Sequence, residues 1–325
     1  MLRAVLKGPS EALPSSGGQM ENSKHDVGQF YKSAADNYSD QYHPSYKKYP
    51  ANLKRLELLL ARFQDIKAKS LLDCGCGEAT PISRIYDTGI EVWGFDYAPE
   101  MVERAKANLE STGLSNRVWQ GDITKASSFR PVGINLPEKF DVCLALGVLP
   151  HLTTEEDVHA LRNMAAVIRQ GGRIFVECRN ELFGLFTLNR YSYALFCDKL
   201  IGVKHLQNKH PQYSSQLEEV STELQKFFRL DVPPIRRGTA SAPGYDAILS
   251  KFHNPFEVGD LFAKAALRIR HIHFYHYHAI PPLFEKKDPE LFRKLSLEME
   301  GNSLDWRGYF MASAFVVEAV KEEGQ

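Results

Sequence analysis

The 325-residue sequence predicts an α/β protein built on a doubly wound, mostly parallel sheet. Three observations carry this expectation. Short apolar runs alternate with helix-periodic segments from about residue 69 to 180. The first run ends in Asp73 and leads through Gly75 and Gly77 into a helix. The next run, roughly 20 residues on, ends in a second carboxylate, Asp96.

Ser70–Asp73 reads as the first strand, and a helix follows the glycine turn at about Thr80–Tyr86. Glu91–Asp96 is the second strand. Pro99 suits the first position of the helix PEMVERAKANLEST, and Gly113 closes it. Arg117–Gln120 forms a third strand ending at Gly121-Asp122. Phe140–Leu146 is apolar enough to be buried on both faces, as a central parallel strand is. Thr153 or Thr154 caps the next helix, with Glu156 and Asp157 in its first turn; Val158, Leu161, Ala165 and Ile168 give it one apolar face. Gly171-Gly172 is expected to end that helix before a fifth strand, Arg173–Glu177.

The pattern then changes. Residues 181–266 are aromatic-rich and irregular, with one amphipathic helix near Ser215–Phe228. Ser215 and Glu218 would form its capping box, and Leu217, Val220, Leu224 and Phe227 or Phe228 its apolar stripe. This segment reads as a cap over a substrate mouth or as a homodimer interface. Two strands, Arg268–Tyr277 and Phe310–Val317, follow within a C-terminal portion, 267–325. Ahead of the core at 67–180, residues 21–66 read as a tyrosine-rich helical lid, and the Gly/Ser/Pro-rich residues 1–20 as a disordered tail.

Composition narrows the function classes. Lys+Arg and Asp+Glu are 40 each, so nothing global points to a polyanionic partner such as nucleic acid. No apolar run approaches membrane-spanning length, so no membrane partner is expected. The five cysteines form no CxxC pair and no secreted-type framework, which points to a reducing cytoplasm. Cys74 and Cys76 flank Gly75, but a C-x-C pair alone is a poor metal or redox site.

The glycine turn is a cofactor loop in the geometry of a doubly wound sheet. Glycines let the backbone turn sharply and approach a ligand, and a carboxylate at the second strand end can take both hydroxyls of a ribose. A dinucleotide would want a third glycine and a phosphate-friendly helix start. Here Asp73 would repel phosphate but suits a cationic amino-acid moiety. A sulfonium nucleoside, with ribose and adenine at one end and a charged methionine at the other, fits both ends.

LLDCGCGEAT, VWGFDYAPEMVERAK, VWQGDI, FDVCLALGVLPHL and GGRIFVECRNELF together resemble the successive motifs of class I S-adenosylmethionine-dependent methyltransferases over roughly residues 69–182. The resemblance implies a Rossmann-like, seven-stranded sheet with its last strand antiparallel, completed by the two C-terminal strands. It implies S-adenosyl-L-methionine as cofactor, with Asp73, Gly75 and Gly77 at the methionine end and Asp96 on the ribose. Tyr97 and Met101 would lie beside the adenine, Asp122 would bond its amino group, and Ile123 would offer a backbone amide. Leu146 would pass near the sulfonium, and Tyr31 and Tyr38 in the opening FYKSAADNY would close over the methionine. Ala79 stands at the third position of the usual glycine turn, a mild departure.

Methyl transfer needs mainly positioning in a water-poor pocket, plus a general base when the acceptor arrives protonated. His151, just after the fourth strand, is the base candidate, against a packing role. Arg179 ends the fifth strand and would bind an anionic substrate group or pair locally. Tyr191 in the insertion and His253, His276 and His278 are further substrate-side candidates. Within HIHFYHYH, strand alternation puts His271 and His273 on one face and His276 and His278 on the other, so no metal site is expected.

The leading expectation is methyl transfer to an O or N atom of a small molecule, a sugar or natural-product intermediate, by in-line displacement. A non-catalytic cofactor-binding scaffold of the same fold and, further off, an NAD-dependent oxidoreductase are the alternatives. The fourth strand ends Leu146-Gly-Val-Leu rather than in the Asp/Asn-Pro-Pro-Tyr-like end of amino-methylating nucleic-acid enzymes.

Overall fold

The computed structural model of the chain describes residues 39–43, 46, 49–232 and 249–321. Tyr31, Tyr38, the tail at 1–20 and the start of the lid therefore lie outside the described residues.

Helix α1 (Ala51–Asp65) precedes the sheet, and a 3-10 turn, Ser39–Tyr42, precedes α1. The core then alternates: β1 (Ser70–Cys74), α2 (Thr80–Tyr86), β2 (Glu91–Asp96), α3 (Pro99–Leu109), β3 (Val118–Gln120), β4 (Phe140–Ala145), α4 (Thr154–Val167) and β5 (Ile168–Arg179). An insertion follows, with α5 (Arg190–Ala194), α6 (Val203–Lys209), α7 (Ser214–Gln225) and α8 (Val258–Ala263). Then come β6 (Leu267–Tyr277), α9 (Pro289–Met299) and β7 (Ala312–Lys321).

The strand order is β3-β2-β1-β4-β5-β7-β6. β1 to β5 are parallel, and β7 inserts antiparallel between β5 and β6. The order reverses beside β1, which places a crevice beyond the carboxyl ends of β1 and β4.

Each central strand buries both faces because alternate residues serve different layers. Leu72, Cys143, Ala145 and Ile174 pack with Leu161 and Met164 of α4 and Phe262 of α8. Leu71, Val142, Leu144 and Phe175 pack on the other side with Leu59 and Phe63 of α1 and Ile82 and Ile85 of α2. That two-sided burial explains why these strands read as continuous apolar runs.

Thr153 caps α4 in a capping box with Glu156, as its sequence pattern predicts. Four expectations need correction. Gly171-Gly172 does not end α4; the helix stops at Val167 and both glycines lie inside β5, opposite a register shift in β4. There a Cβ on Gly172 would meet the carbonyl oxygens of Arg169 at 2.9 Å and Asp141 at 3.0 Å, so the glycine serves close strand packing instead. The last strand begins at Ala312, because Gly308–Met311 turns as a helix before it.

The other two corrections concern α7. It starts at Ser214 after Tyr213, with no side-chain cap, and Glu218 accepts from Gln207 instead of closing a box. Its apolar stripe is only half-covered: Leu217, Leu224 and Phe228 are partly buried, Phe228 against the rings of Tyr193 and Phe196, whereas Val220 and Phe227 are exposed.

Candidate active site

The loop after β1 is built by its glycines and by the neighbouring strand. Gly75 has φ 122° and Gly77 φ 55°, backbone regions that side chains resist. A Cβ on Gly75 would also lie 2.3 Å from Val148 Cγ2, so that position needs glycine for space as well. At Gly77 a Cβ would meet nothing within 4 Å, and the backbone there faces open space. Ala79 keeps the left-handed conformation, φ 66°, that a third glycine would adopt, at a cost of about 1–2 kcal/mol.

The amides of Gly75 and Cys76 donate to the Phe95 carbonyl at 2.8 and 3.0 Å, hooking the loop onto β2. Asp96 completes the brace: Oδ2 accepts from the Gly77 amide at 2.8 Å and Oδ1 from the Ala98 amide at 2.9 Å.

Asp73 is 1% exposed, and its Oδ1 has no hydrogen-bond partner. Burial, and next the charge of Asp96, push its carboxyl up to about 7, while Arg55 pulls the other way. An orphaned buried carboxylate of this kind is a strong demand for a cation or a donor from a ligand.

Both carboxylates face a cavity of about 1130 Å³, mouth included. It gathers the sequence candidates Asp73, Gly75, Gly77, Asp96, Tyr97, Met101, Asp122, Ile123, Leu146 and His151 around one space. Asp122 also serves its own loop, accepting from the amide and hydroxyl of Thr124 at 2.9 and 2.6 Å. The Ile123 carbonyl accepts from Asn163 at 3.0 Å, which ties this loop to α4.

The cavity has two further walls that sequence reasoning missed, Tyr42 and Arg55. Arg55 is buried and pairs through Nη1 with Glu177, while its Nη2 donates to the Tyr42 hydroxyl at 3.0 Å. The Tyr275 hydroxyl donates to the other Glu177 oxygen at 2.6 Å. The signal was present: Arg55 lies one turn before Leu59 and beside Leu56, on the apolar stripe of α1. An arginine on such a face must find a buried anion.

His151 sits in a 3-10 turn, Leu149–His151, directly after β4. Its ring Nδ1 is 2.7 Å from the Leu249 carbonyl oxygen. A carbonyl only accepts, so Nδ1 carries the hydrogen and Nε2 the lone pair. Burial drives the imidazole down to about 4, with Arg179 adding to the effect and the Leu249 carbonyl and Glu177 opposing it.

The five residues expected on the acceptor side lie outside the cavity lining. Arg179 bonds the Ser250 hydroxyl, and the Tyr191 ring approaches Phe252 at 6.4 Å. His253 contacts the buried Asp157 through Nε2 at 3.2 Å. His276 takes φ 57°, stacks on Tyr49 at 4.9 Å and places Nδ1 2.8 Å from Ser313 Oγ. His278 packs against Phe183 and His276, and burial holds it well below the usual histidine range. Each is engaged by long-range tertiary partners that spacing along a strand does not reveal. Among the described residues no group of three or more His, Cys, Asp or Glu could hold a metal ion.

Residues 71–172, which contain the glycine loop, both carboxylates and His151, match the family described as Methyltransferase domain. This is a class I S-adenosylmethionine-dependent methyltransferase domain. The chain is 22% identical over 232 residues to a ubiquinone biosynthesis O-methyltransferase of Proteus mirabilis, covering 70% of this chain and 86% of that one. It is 32% identical over 117 residues to a tRNA U34 carboxymethyltransferase of Idiomarina loihiensis, covering 35% of this chain and 33% of that one. The methyltransferase fold is shared with magnesium protoporphyrin IX methyltransferase from Synechocystis PCC 6803 with bound SAH, at a TM-score of 0.50 and 14% identity. That alignment covers 92% of this chain and 100% of the other. No helix among the described residues is long and apolar enough to cross a membrane.

Proposed function

We propose that this domain methylates an oxygen or nitrogen of a small molecule, using the cavity at the ends of β1, β2 and β4 to hold S-adenosylmethionine and His151 as base. The observation that carries the reading is the orphaned, buried Asp73 carboxylate sharing one cavity with Asp96 and a neutral histidine.

The chemistry of the walls fits the cofactor. Asp73 answers an α-ammonium, and the buried Arg55 guanidinium beside it answers an α-carboxylate. Asp96 uses one lone pair of each oxygen on backbone amides, which leaves acceptor capacity for ribose hydroxyls. Tyr97, Met101, Asp122 and Ile123 then flank the adenine side, and Leu146 the sulfonium side. The expected closure by Tyr31 and Tyr38 joins the proposal from the sequence alone. When bound, the cofactor supplies an electrophilic methyl group on a positively charged sulfur.

The residues of the chain position the acceptor and take its proton. The pocket would aim the acceptor's lone pair at that methyl group, and His151 Nε2 would take the proton the acceptor gives up. A base near 4 is weak, but an oxygen that has gained a methyl sheds its proton readily. A methylated amine holds its proton far more tightly, so an oxygen acceptor suits His151 better. A relative that this chain matches over most of its length is named as an O-methyltransferase, which points the same way. Balanced charge, with 40 basic and 40 acidic residues, favours a small acceptor over a polyanion.

Calorimetric titration with S-adenosylmethionine, its demethylated product and NAD tests the cofactor, and binding of the first two only is expected. Mass spectrometry of candidate quinol, sugar and natural-product acceptors, with tRNA alongside, then tests the acceptor. A gain of one methyl on a small hydroxylated acceptor supports the reading; methylation of tRNA alone overturns it.

A further inference from the structure

Residues 249–253 run across the carboxyl ends of β4 and β5, far in sequence from both. Six contacts hold this short strap. The Leu249 carbonyl accepts from His151 Nδ1 at 2.7 Å. The Lys251 amide donates to the Pro150 carbonyl, the residue before His151, at 2.8 Å. The His253 amide donates to the Arg179 carbonyl at 2.8 Å, and the Arg179 guanidinium bonds Ser250 Oγ. Finally the Lys251 ammonium pairs with the Asp157 carboxylate, which His253 Nε2 also approaches at 3.2 Å.

We propose that this strap is the positioning device of the active-site histidine: Lys251, anchored on Asp157, holds the Leu249 carbonyl where it fixes His151 as the Nδ1-protonated tautomer with Nε2 turned to the cavity. The inference rests on the reading of His151 as base.

The energetics support a positioning role over simple stabilisation. Asp157 is 1% exposed and Lys251 is largely covered, so both ions lose water to meet. Such pairs seldom stabilise a fold more than apolar residues of similar volume would, but they do fix one geometry. Asp157 belongs to the first turn of α4, where the helix N-terminus favours a carboxylate. The anchor therefore sits on a rigid element that starts just after His151. A histidine whose Nδ1 lacked this acceptor could rotate or switch tautomer, and Nε2 would then carry the hydrogen and could not take a proton.

Among the groups facing His151 are the Leu249 carbonyl from the strap and Glu177 and Arg179 from β5. Lys251 sits one anchor further out, on Asp157. Its removal therefore reaches the imidazole through the strap.

The test is nitrogen-15 NMR of the His151 imidazole in the full chain, assigned by loss of its signals in His151→Gln. Two variants are compared with the parent: Lys251→Met, and the double variant Asp157→Asn with Lys251→Met, which leaves no lone buried charge and keeps the chain foldable. Lys251→Arg is the conservative control. In the parent, His151 shows the Nδ1-protonated pattern. In both methionine variants the ratio of Nδ1–H to Nε2–H forms falls roughly tenfold, the equivalent of about one hydrogen bond. The imidazole titration also moves further down, because the Leu249 carbonyl that favours the charged ring is withdrawn, while calorimetry with S-adenosylhomocysteine shows unchanged affinity. The arginine control keeps the parent pattern. A folded double variant with the parent tautomer ratio and titration overturns the proposal. The NMR readout needs no acceptor, so it separates failure of the strap from failure of His151 as base.

Discussion

Asp73 and Asp96 end adjacent parallel strands and face one cavity, and the charge of Asp96 adds to burial in pushing the Asp73 carboxyl up to about 7. Two carboxylates placed this way are uncomfortable without a cation between or beside them. The arrangement makes cofactor binding and protonation one coupled equilibrium.

Cofactor affinity should therefore depend on pH through Asp73. Its folded value lies above the ordinary aspartate value, so the cofactor-free fold is most favoured below the ordinary value and loses that contribution as pH rises through about 7. A bound ammonium reverses the preference, so binding below about 7 expels a proton and tightens as pH rises toward 7. Calorimetry of S-adenosylmethionine in buffers of different ionisation enthalpy should show proton release at about pH 6. Asp73→Asn should abolish that release and weaken binding roughly 10- to 100-fold. An unchanged proton count in the variant would remove Asp73 from the site.

Asp96 has two duties, and two substitutions separate them. Asp96→Ala removes the acceptors of the Gly77 and Ala98 amides, so it should lower thermal stability as well as cofactor affinity. Asp96→Asn keeps one carbonyl acceptor and should retain more of the fold, yet lose at least roughly tenfold in affinity. Melting curves beside titrations give both numbers.

His151→Gln should lower turnover by roughly 10²- to 10⁴-fold while cofactor affinity stays within a few-fold. Turnover at saturating cofactor should be flat above about pH 5 and fall as the imidazole protonates near 4. The folded value lies below the ordinary histidine value of about 6.5, so the unfolded chain binds the proton first and stability declines as pH drops from about 6.5 toward 4. Equal turnover in the variant would exclude His151 as base.

Cys74→Ser and Cys76→Ser should preserve cofactor binding. Both thiols are buried and pushed well above their ordinary value, Cys76 by burial and then by the two aspartates, so neither is a thiolate. Iodoacetamide should leave the folded protein's pair unmodified; rapid alkylation would reopen a reactive role.

Glu318 on β7 ties α1 and β5 to the edge strand, accepting from Arg62 at 3.0 Å, Arg173 at 3.3 Å and His273 at 3.1 Å. Burial alone would raise it, but His273 and Arg62 outweigh that and hold it at about 2. Its stabilising contribution is present above the ordinary glutamate value and lost as pH falls from there toward 2. Glu318→Gln should destabilise the fold by about 3–5 kcal/mol at neutral pH, read by urea unfolding, and flatten acid unfolding over that window.

Much of the sheet was legible because parallel strands buried on both faces leave uninterrupted apolar runs. β1, β2 and β4 fall within a residue or two of their sequence positions, and α2 spans Thr80–Tyr86 as read. The glycine loop was legible for a local reason: positive φ at Gly75 and Gly77 demands glycine whatever surrounds it. Arg55 and Tyr42 were less so, since Arg55 reaches Glu177 across more than a hundred residues of chain and Tyr42 joins them only through Arg55. The surroundings of His276 and His278 were not legible, because spacing along a strand says which residues share a face, not what covers that face.

The sequence by itself determined the order of elements, the cofactor loop and the carboxylates at two strand ends, because each is set by neighbours within a few residues. Only the tertiary structure decided that Asp73 would be orphaned and driven toward 7, that Arg55 would meet Glu177, and that Leu249 would select the tautomer of His151. Those outcomes depend on desolvation and on partners brought in from distant parts of the chain, and neither is written in local pattern.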